Sequence, residues 1–165
     1  MTRLFVAVWP PDELIEALSD LERPHDQGVR WLPTENLHVT LRFLGDADED
    51  EVADALTTAT WRPTTARVGP AVDALGDHSL VLPVDGVDDL AATASRATKA
   101  LGSAPERRRY HGHLTVARLA RRARPARALG LRFAASFEVT EVALVASTLT
   151  PEGARYETIT TWPAH

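Results

Sequence analysis

The sequence predicts an α+β fold of two lobes, in which two antiparallel sheets face a central cleft and the helices pack on the outside. The first observation is residues 36–45, where His38, Thr40 and Arg42 alternate with apolar residues, as on a half-buried strand. The second is that His113 and Thr115 repeat the pattern on residues 113–119, and His113 follows His38 by 75 residues in a chain of 165. A polar pair that returns after a little under half of the chain is typical of a duplicated, two-lobed domain.

The length and the 44% content of hydrophobic residues predict one compact domain, residues 1–165, with one His-x-Thr strand in each lobe. The chain contains no run of about 18 apolar residues, so the sequence predicts no membrane helix. The apolar run at residues 4–8 is too short for a signal peptide. We therefore expect a cytoplasmic protein with no membrane partner, and a monomer. The absence of cysteine excludes disulfides, thiolate metal sites and cysteine nucleophiles.

The first half of the chain begins with a short apolar strand at 4–9, which Pro10 and Pro11 end. A helix follows from Pro11 or Asp12 to about Leu21, and a short strand is predicted at 29–32. After the first His strand, acidic residues open a helix at 48–60. Its apolar stripe consists of Val52, Ala55, Leu56 and Ala59.

The second half begins with a predicted hairpin and continues with a helix that Gly102 caps. The second His strand emerges from a basic loop that contains Tyr110, and residues 121–130 form either a short helix or an irregular basic segment. The predicted elements are strands 66–75 and 79–84, helix 86–101, strand 113–119, a strand from Phe133 or Phe137 to 147, and strand 155–162.

Charge is distributed unevenly along a chain whose net charge is −5. Nine of the 18 basic residues are the arginines between Arg107 and Arg132, a segment without Asp or Glu, whereas residues 46–54 contain six acids and no base. Such a field attracts a phosphate-bearing ligand to one side of the molecule. The alternative is an arginine-rich surface that only solubilises the protein.

Six histidines are the candidates for acid–base chemistry. His25 and His78 lie in predicted loops and are interpreted as solvated. A single His-x-Thr strand is best interpreted as a strand whose histidine lies in or near the core with its hydrogen bonds made there. Two such strands favour a catalytic pair of histidines. Imidazole suits both roles, because its ordinary pKa of about 6.5 lets one ring be neutral while the other is protonated near neutral pH.

The two motifs, His38-Val39-Thr40-Leu41 and His113-Leu114-Thr115-Val116, resemble the paired signatures of the 2H phosphoesterase superfamily. With residues 30–31, 36–45, 113–118 and 147–156, the sequence resembles the bacterial RNA 2′,3′-cyclic phosphodiesterases, also called 2′-5′ RNA ligases, over nearly its whole length. It departs from them at Gly112, where the family commonly has proline.

The resemblance implies hydrolysis of RNA 2′,3′-cyclic phosphate ends to 2′-phosphates, with reversible 2′-5′ RNA ligation as a further activity. It implies that His38 is the proton donor to the leaving 3′-oxygen and that His113 is the proton acceptor from water; the sequence alone does not order the two. Thr40 and Thr115 share the faces of their histidines and are expected to donate hydrogen bonds to phosphoryl oxygens. No cofactor or metal is expected, because the chain lacks a carboxylate cluster with ligand spacing.

Two further residues are candidates for binding the substrate, and each has a structural alternative. Arg42 has the strand parity of His38 and could reach the phosphate, or it could pair with a buried acid. Tyr110 could stack on the terminal base, or it could be an ordinary aromatic that packs the loop. Trp31, Trp61 and Trp162 are interpreted as packing residues.

Three other functions fit parts of the pattern. They are a 2H phosphoesterase that acts on small cyclic nucleotides or on 2′-5′ linkages, a non-catalytic module that binds RNA ends, and a metal site formed by His38 and His113. Inhibition by chelators would indicate the metal site. Retained RNA affinity without turnover, before and after removal of both histidines, would indicate the binding module.

Overall fold

The computed structural model describes residues 1–165 and shows three α-helices, one short 3₁₀ helix at Thr34–Asn36 and ten strands. The helices are α1 (Asp12–Ser19), α2 (Glu49–Thr57) and α3 (Asp88–Ala97). The strands are β1 (Thr2–Val8), β2 (Val29–Trp31), β3 (Val39–Ala47), β4 (Thr64–Val68), β5 (Asp73–Leu75), β6 (Ser79–Asp85), β7 (His113–Leu119), β8 (Ala135–Val139), β9 (Glu141–Thr150) and β10 (Gly153–Pro163).

All strand pairs are antiparallel, and the order β10-β9-β1-β3-β7-β6-β4-β8 forms one continuous path, with β2 beside β7 and β5 beside β6. The strands of the two motifs, β3 and β7, meet at its centre. One lobe contains β10, β9, β1 and β3, and therefore joins strands from both ends of the chain. The predicted α+β class is confirmed, and the sheets of the two lobes are continuous through the β3–β7 contact.

The helices cover one face of this sheet. The main hydrophobic core includes Leu14 and Leu18 of α1, Leu56 of α2 and Leu90 of α3 together with inward side chains of the strands. A second, small cluster of Phe5, Ala7, Ala143 and Val145 contains no helical residue. In the lobe that contains β10, β9, β1 and β3, the opposite face of the sheet is therefore free of helices. This is the face of the predicted cleft.

Two predicted strands are each divided into two, and one segment with two predicted forms adopts the second. The predicted strand 66–75 is divided into β4 and β5 around Gly69 and Pro70, since proline has no N–H to donate to a strand ladder. The predicted strand 133–147 is two strands, because β8 pairs with β4 whereas β9 pairs with β1 and β10. Residues 121–130 are irregular, the second of the two predicted forms, and Asp26 anchors the segment through the backbone N–H groups of Arg127 and Ala128.

None of the helices has the length and hydrophobicity of a transmembrane segment.

Candidate active site

The two motifs come together through one residue pair. Val39 of β3 lies opposite Leu114 of β7, and both side chains are fully buried in the main core. Because successive side chains on a strand point to opposite faces, the residues on either side of this pair project to the face without helices. The structure thus brings both predicted histidines and both predicted threonines to one place.

The antiparallel register determines which side chains are neighbours. With Val39 opposite Leu114, His38 lies beside Thr115 and Thr40 lies beside His113. Each histidine therefore has as its cross-strand neighbour the threonine of the other lobe. All four side chains are partly exposed, so a phosphate group from solvent can reach them.

Both histidine rings are oriented by the same contact. Nδ1 of His38 lies 2.8 Å from the carbonyl oxygen of Asn36, and Nδ1 of His113 lies 2.7 Å from the carbonyl oxygen of His111. A carbonyl can only accept, so Nδ1 carries a proton in each ring. Nε2 is then the atom that gains or loses a proton during a reaction.

The surroundings of His38 are aromatic. Phe5 stacks on the imidazole with 4.8 Å between ring centroids, while Trp9 and Tyr156 approach edge-on at 5.4 and 5.1 Å. Nε1 of Trp9 donates to Oγ1 of Thr158, which ties this ring to β10. The aromatic residues hold the ring in place and remove water from it.

Burial lowers the pKa of His38. The charges of His113 and Arg118 lower this pKa further, and the hydrogen bond to Asn36 opposes them. The two histidines thus have different environments although their motifs are alike.

Arg118 is a site residue to which the sequence assigned no role. Counting from His113, it should face away from the site, but β7 contains a bulge opposite the Leu80–Val81 step, which reverses the alternation. Its side chain is exposed and donates to Oγ of Ser79 at 2.8 Å. The available signal was its position in segment 113–118, which carried part of the family resemblance. The bulge concealed the orientation of its side chain.

The three aromatic residues around His38 were also missed. Tyr156 belongs to the C-terminal segment that carried the resemblance, but nothing in the sequence shows that β10 passes near the first motif. Phe5 and Trp9 appear in the sequence only as members of an apolar strand. Their contacts depend on the pairing of β1 with β3 and β9, which joins distant parts of the chain.

Arg42 does not face the histidines, and its prediction as a substrate ligand is corrected. In the pairing with β1, Thr40 lies opposite Ala7 and Arg42 opposite Val6, so Leu41 is an extra residue that turns Arg42 toward the core. Arg42 is 5% exposed. Its guanidinium donates to the carbonyl groups of Phe43, Thr98, Leu101 and Ser103 and to the Thr98 hydroxyl.

Tyr110 has the structural role that was the alternative to base stacking. Its ring packs against the main core, and its hydroxyl donates to the carbonyl oxygen of Thr40 at 2.7 Å. Burial raises the pKa of this phenol, and the nearby charge of Asp88 raises it further. Tyr110 therefore connects the loop before His113 to the strand that carries Thr40.

Gly112 precedes the second motif at a point of close backbone approach. A Cβ atom here would overlap the carbonyl oxygen of Val84 and crowd Val87. The carbonyl oxygen of Gly112 also accepts a hydrogen bond from the N–H of Val84 at 2.9 Å. In this chain, glycine at this position lets the loop lie against the end of β6.

The side chains do not form a metal centre of the usual kind, since no three His, Asp or Glu residues are grouped closely enough to hold an ion. The arrangement offers instead two imidazoles with free Nε2 positions, two hydroxyls and one cationic side chain on an open face. Such a set can transfer protons at a phosphoryl group and bind its negative charge.

Comparison with known proteins identifies a family and a fold for the chain. The model of the 2′-5′ RNA ligase superfamily matches residues 10–150. Two curated archaeal proteins named RNA 2′,3′-cyclic phosphodiesterase are similar to the chain. The one from Archaeoglobus fulgidus is 28% identical over 94% of this chain and 96% of its own. The one from Methanocaldococcus jannaschii is 25% identical over 97% and 99%.

The fold matches a solved structure over almost its full length. Escherichia coli LigT, solved in complex with 3′-AMP, superimposes with a TM-score of 0.79 over 99% of this chain and 98% of its own, at 24% identity. This likeness concerns the fold, and the family model concerns the sequence. Together with the paired His-x-Thr strands, they establish that the chain belongs to the 2′-5′ RNA ligase superfamily of 2H phosphoesterases.

Proposed function

We propose that the protein hydrolyses the 2′,3′-cyclic phosphate at the end of an RNA and leaves a 2′-phosphate. The observation that carries the proposal is the Val39–Leu114 pair, which places two oriented histidines and two threonines on one open face. Family membership supports a phosphodiesterase, and the names of the two archaeal relatives support a cyclic phosphate on RNA as its substrate.

In the proposed reaction, a water molecule attacks phosphorus while the bond from phosphorus to the 3′-oxygen breaks. Nε2 of His113 takes the proton from water, and Nε2 of His38 gives a proton to the departing 3′-oxygen. The result is a 2′-phosphate and a free 3′-hydroxyl, and each histidine ends in the protonation state in which the other began. An RNA 5′-hydroxyl in place of water would give a 2′-5′ linkage by the same proton transfers.

The assignment of His38 as the proton donor requires substrate to be bound. In the free protein its lowered pKa favours the neutral ring. A phosphodiester anion next to the ring favours the protonated form, because opposite charges a few ångströms apart stabilise each other. His38 therefore takes up its proton as the RNA end binds.

Thr40 and Thr115 donate hydroxyl hydrogen bonds to the non-bridging oxygens in this proposal, and Arg118 contributes positive charge. No metal ion takes part. All these residues belong to one chain, which supports action as a monomer. We propose that the protein acts on these RNA ends in the cytoplasm.

The test is to incubate the protein, in EDTA, with a short RNA that ends in a 2′,3′-cyclic phosphate and to determine the position of the phosphate in the product. A 2′-phosphate is the expected product. A 3′-phosphate would overturn the assignment of the leaving oxygen, and loss of activity in EDTA would favour the metal alternative. In competition, equal or faster turnover of a small cyclic nucleotide would overturn the preference for RNA.

A further inference from the structure

The face that carries the two motifs continues past the histidines to a pair of arginines. Arg30 of β2 lies directly opposite Arg118 of β7. The residues on either side of Arg30, Val29 and Trp31, pack against the main core, and so does Ala117. Because neighbouring side chains on a strand point to opposite faces, Arg30 and Arg118 both point away from this core. The two guanidinium groups therefore share the face of the candidate active site.

The charges of these two arginines are not neutralised within the protein. Both side chains are exposed, and the protein's one salt bridge joins Arg127 to Asp26 instead. Arg118 donates to the hydroxyl of Ser79, a neutral partner that is 7% exposed. Like charges directly opposite each other on paired strands destabilise a sheet. A bound anion removes this repulsion, so the pair indicates an anion-binding site.

The register of β6 and β7 places this pair next to the histidines. Thr115 and Arg118 lie opposite Val81 and Ser79 of β6. These partners are two residues apart, so the two positions on β7 are separated by about 7 Å at roughly 3.3 Å per residue. The charge of Arg118 also acts on His38, whose pKa it lowers. Neighbouring phosphates of an RNA strand are separated by a comparable distance.

The positive charge continues in the segment that follows β7, residues 121–124, where three of the four residues are exposed arginines. The N–H of Ala120 donates to the carbonyl oxygen of Gly28 at 2.8 Å. The N–H of Arg124 donates to the carbonyl oxygen of Gln27 at 2.8 Å. These bonds hold the segment against the residues that precede β2. A line of arginines suits a chain of phosphates better than one small anion.

We propose that Arg30, beside Arg118, binds an RNA phosphodiester next to the reacting phosphate. The inference rests on the proposed function, since it takes the reacting phosphate to be an RNA end held by the two histidines. The phosphodiester has two sources: the linkage that precedes the last nucleoside of the substrate, or the first linkage of a strand whose 5′-hydroxyl attacks in ligation. In both, the guanidinium recognises the phosphate charge and not the base sequence.

The first arm of the test compares hydrolysis of adenosine 2′,3′-cyclic phosphate with hydrolysis of the dinucleotide ApA that has the same cyclic end and one more phosphodiester. The kcat/KM of the dinucleotide relative to the mononucleotide should fall about fivefold in Arg30→Ala. Arg30→Lys, which keeps the charge, should recover most of this ratio. Arg96→Ala, a change at an exposed arginine of α3, is the matched control and should keep the wild-type ratio. This result assigns the phosphodiester to the substrate strand.

The second arm uses adenosine 2′,3′-cyclic phosphate together with ApA that has a free 5′-hydroxyl. The yield of the 2′-5′-linked product relative to adenosine 2′-phosphate measures attack by this strand against attack by water. A fivefold fall of this ratio in Arg30→Ala, with no change in the first arm, assigns the phosphodiester to the attacking strand. Unchanged ratios in both arms overturn the inference. An equal loss in Arg96→Ala overturns it as well, because the effect is then one of net charge.

Binding separates this inference from the proposed function. Fluorescence anisotropy with a labelled short RNA that ends in a 2′-phosphate gives Kd at several salt concentrations. One phosphate contact on a single strand contributes about 0.7 to the slope of log Kd against log salt concentration, so Arg30→Ala should lower the slope by this amount if the substrate strand is the source. Turnover with unchanged ratios and an unchanged slope overturns the inference alone. A slope that depends on Arg30 in a protein without turnover overturns the proposed function alone.

Discussion

At the scale of single residues, the chemistry of the site depends on how differently the two histidines are surrounded. His38 lies among Phe5, Trp9 and Tyr156, whereas no aromatic ring stacks on His113. A buried imidazole is more easily neutral than charged, because the aromatic groups replace water that would solvate the cation. The local sequence motifs are nearly the same, so this difference comes entirely from residues outside them.

The protonation of His38 follows from this environment. Between its lowered pKa and the ordinary value of 6.5, the unfolded chain binds more protons than the folded protein, so this group makes folding less favourable as the pH falls. Titration of the ring protons by NMR should place the His38 pKa below 6.5, and added inorganic phosphate should raise it. A value at or above 6.5 in the free protein would contradict the role given to the aromatic residues.

Arg118 should matter for activity and little for stability. Its side chain is exposed, so Arg118→Ala removes one charged contact to phosphate while the core is unchanged. The expected loss in kcat/KM is about tenfold to a hundredfold, which corresponds to roughly 1.5–3 kcal/mol. Steady-state kinetics measures it, with Arg62→Ala, an exposed arginine after α2, as the control. Equal kinetics of the two variants would remove Arg118 from the site.

Tyr110 is expected to act through position. Tyr110→Phe retains the ring and deletes the hydroxyl that donates to the Thr40 carbonyl, so the free energy of unfolding should fall by about 1 kcal/mol. The strand that carries Thr40 is then less tightly held, and kcat should fall severalfold with little change in KM. Urea unfolding and kinetics measure the two effects. Unchanged unfolding free energy and unchanged kcat in Tyr110→Phe would contradict this positioning role.

At the scale of elements, the C-terminus of α3 and the loop after it are held by one side chain from β3. Carbonyl groups at a helix C-terminus lack hydrogen-bond donors within the helix, and a cation there interacts favourably with the negative end of the helix dipole. Arg42 provides both the donors and the positive charge, since its guanidinium donates to the carbonyl oxygens of Thr98, Leu101 and Ser103. The strand that presents the first motif is thereby joined to the helix that covers the other face.

Arg42→Ala should therefore affect folding more than chemistry. The variant leaves several carbonyl groups without a donor, and we expect the free energy of unfolding to fall by about 3 kcal/mol in urea. Arg42→Lys should recover only part of this, because one ammonium group cannot replace a planar fork of donors. A stable Arg42→Ala protein with a greatly raised KM would restore the original prediction of a substrate ligand.

The elements themselves were largely predictable from periodicity. All three helices and the two motif strands lie where apolar spacing and caps placed them, with ends shifted by a few residues. Bulges were not predictable, because an extra residue such as Leu41 leaves the sequence pattern intact and shows only in the pairing with β1. This explains why Arg42 was placed on the wrong face and Arg118 was given no role.

At the scale of the whole molecule, the site exists because two lobes meet. The β3–β7 pair joins them at Val39 and Leu114, and the Tyr110 hydroxyl makes a second connection close by. The sequence indicated that two histidines belong together, since its two motifs are alike. The relative register of the two motifs and the aromatic residues around His38 depend on contacts between distant segments, and no local sequence pattern contains them.

The most direct test of the central claim is turnover of an RNA with a 2′,3′-cyclic phosphate end, in EDTA, by His38→Ala and His113→Ala. Each variant should lose at least about a hundredfold in kcat, the scale of a general acid or base, while circular dichroism shows an intact fold. His78→Ala, a change at an exposed turn histidine, should match the wild-type protein. Retained turnover in either site variant, with the fold intact, would contradict catalysis by this histidine pair.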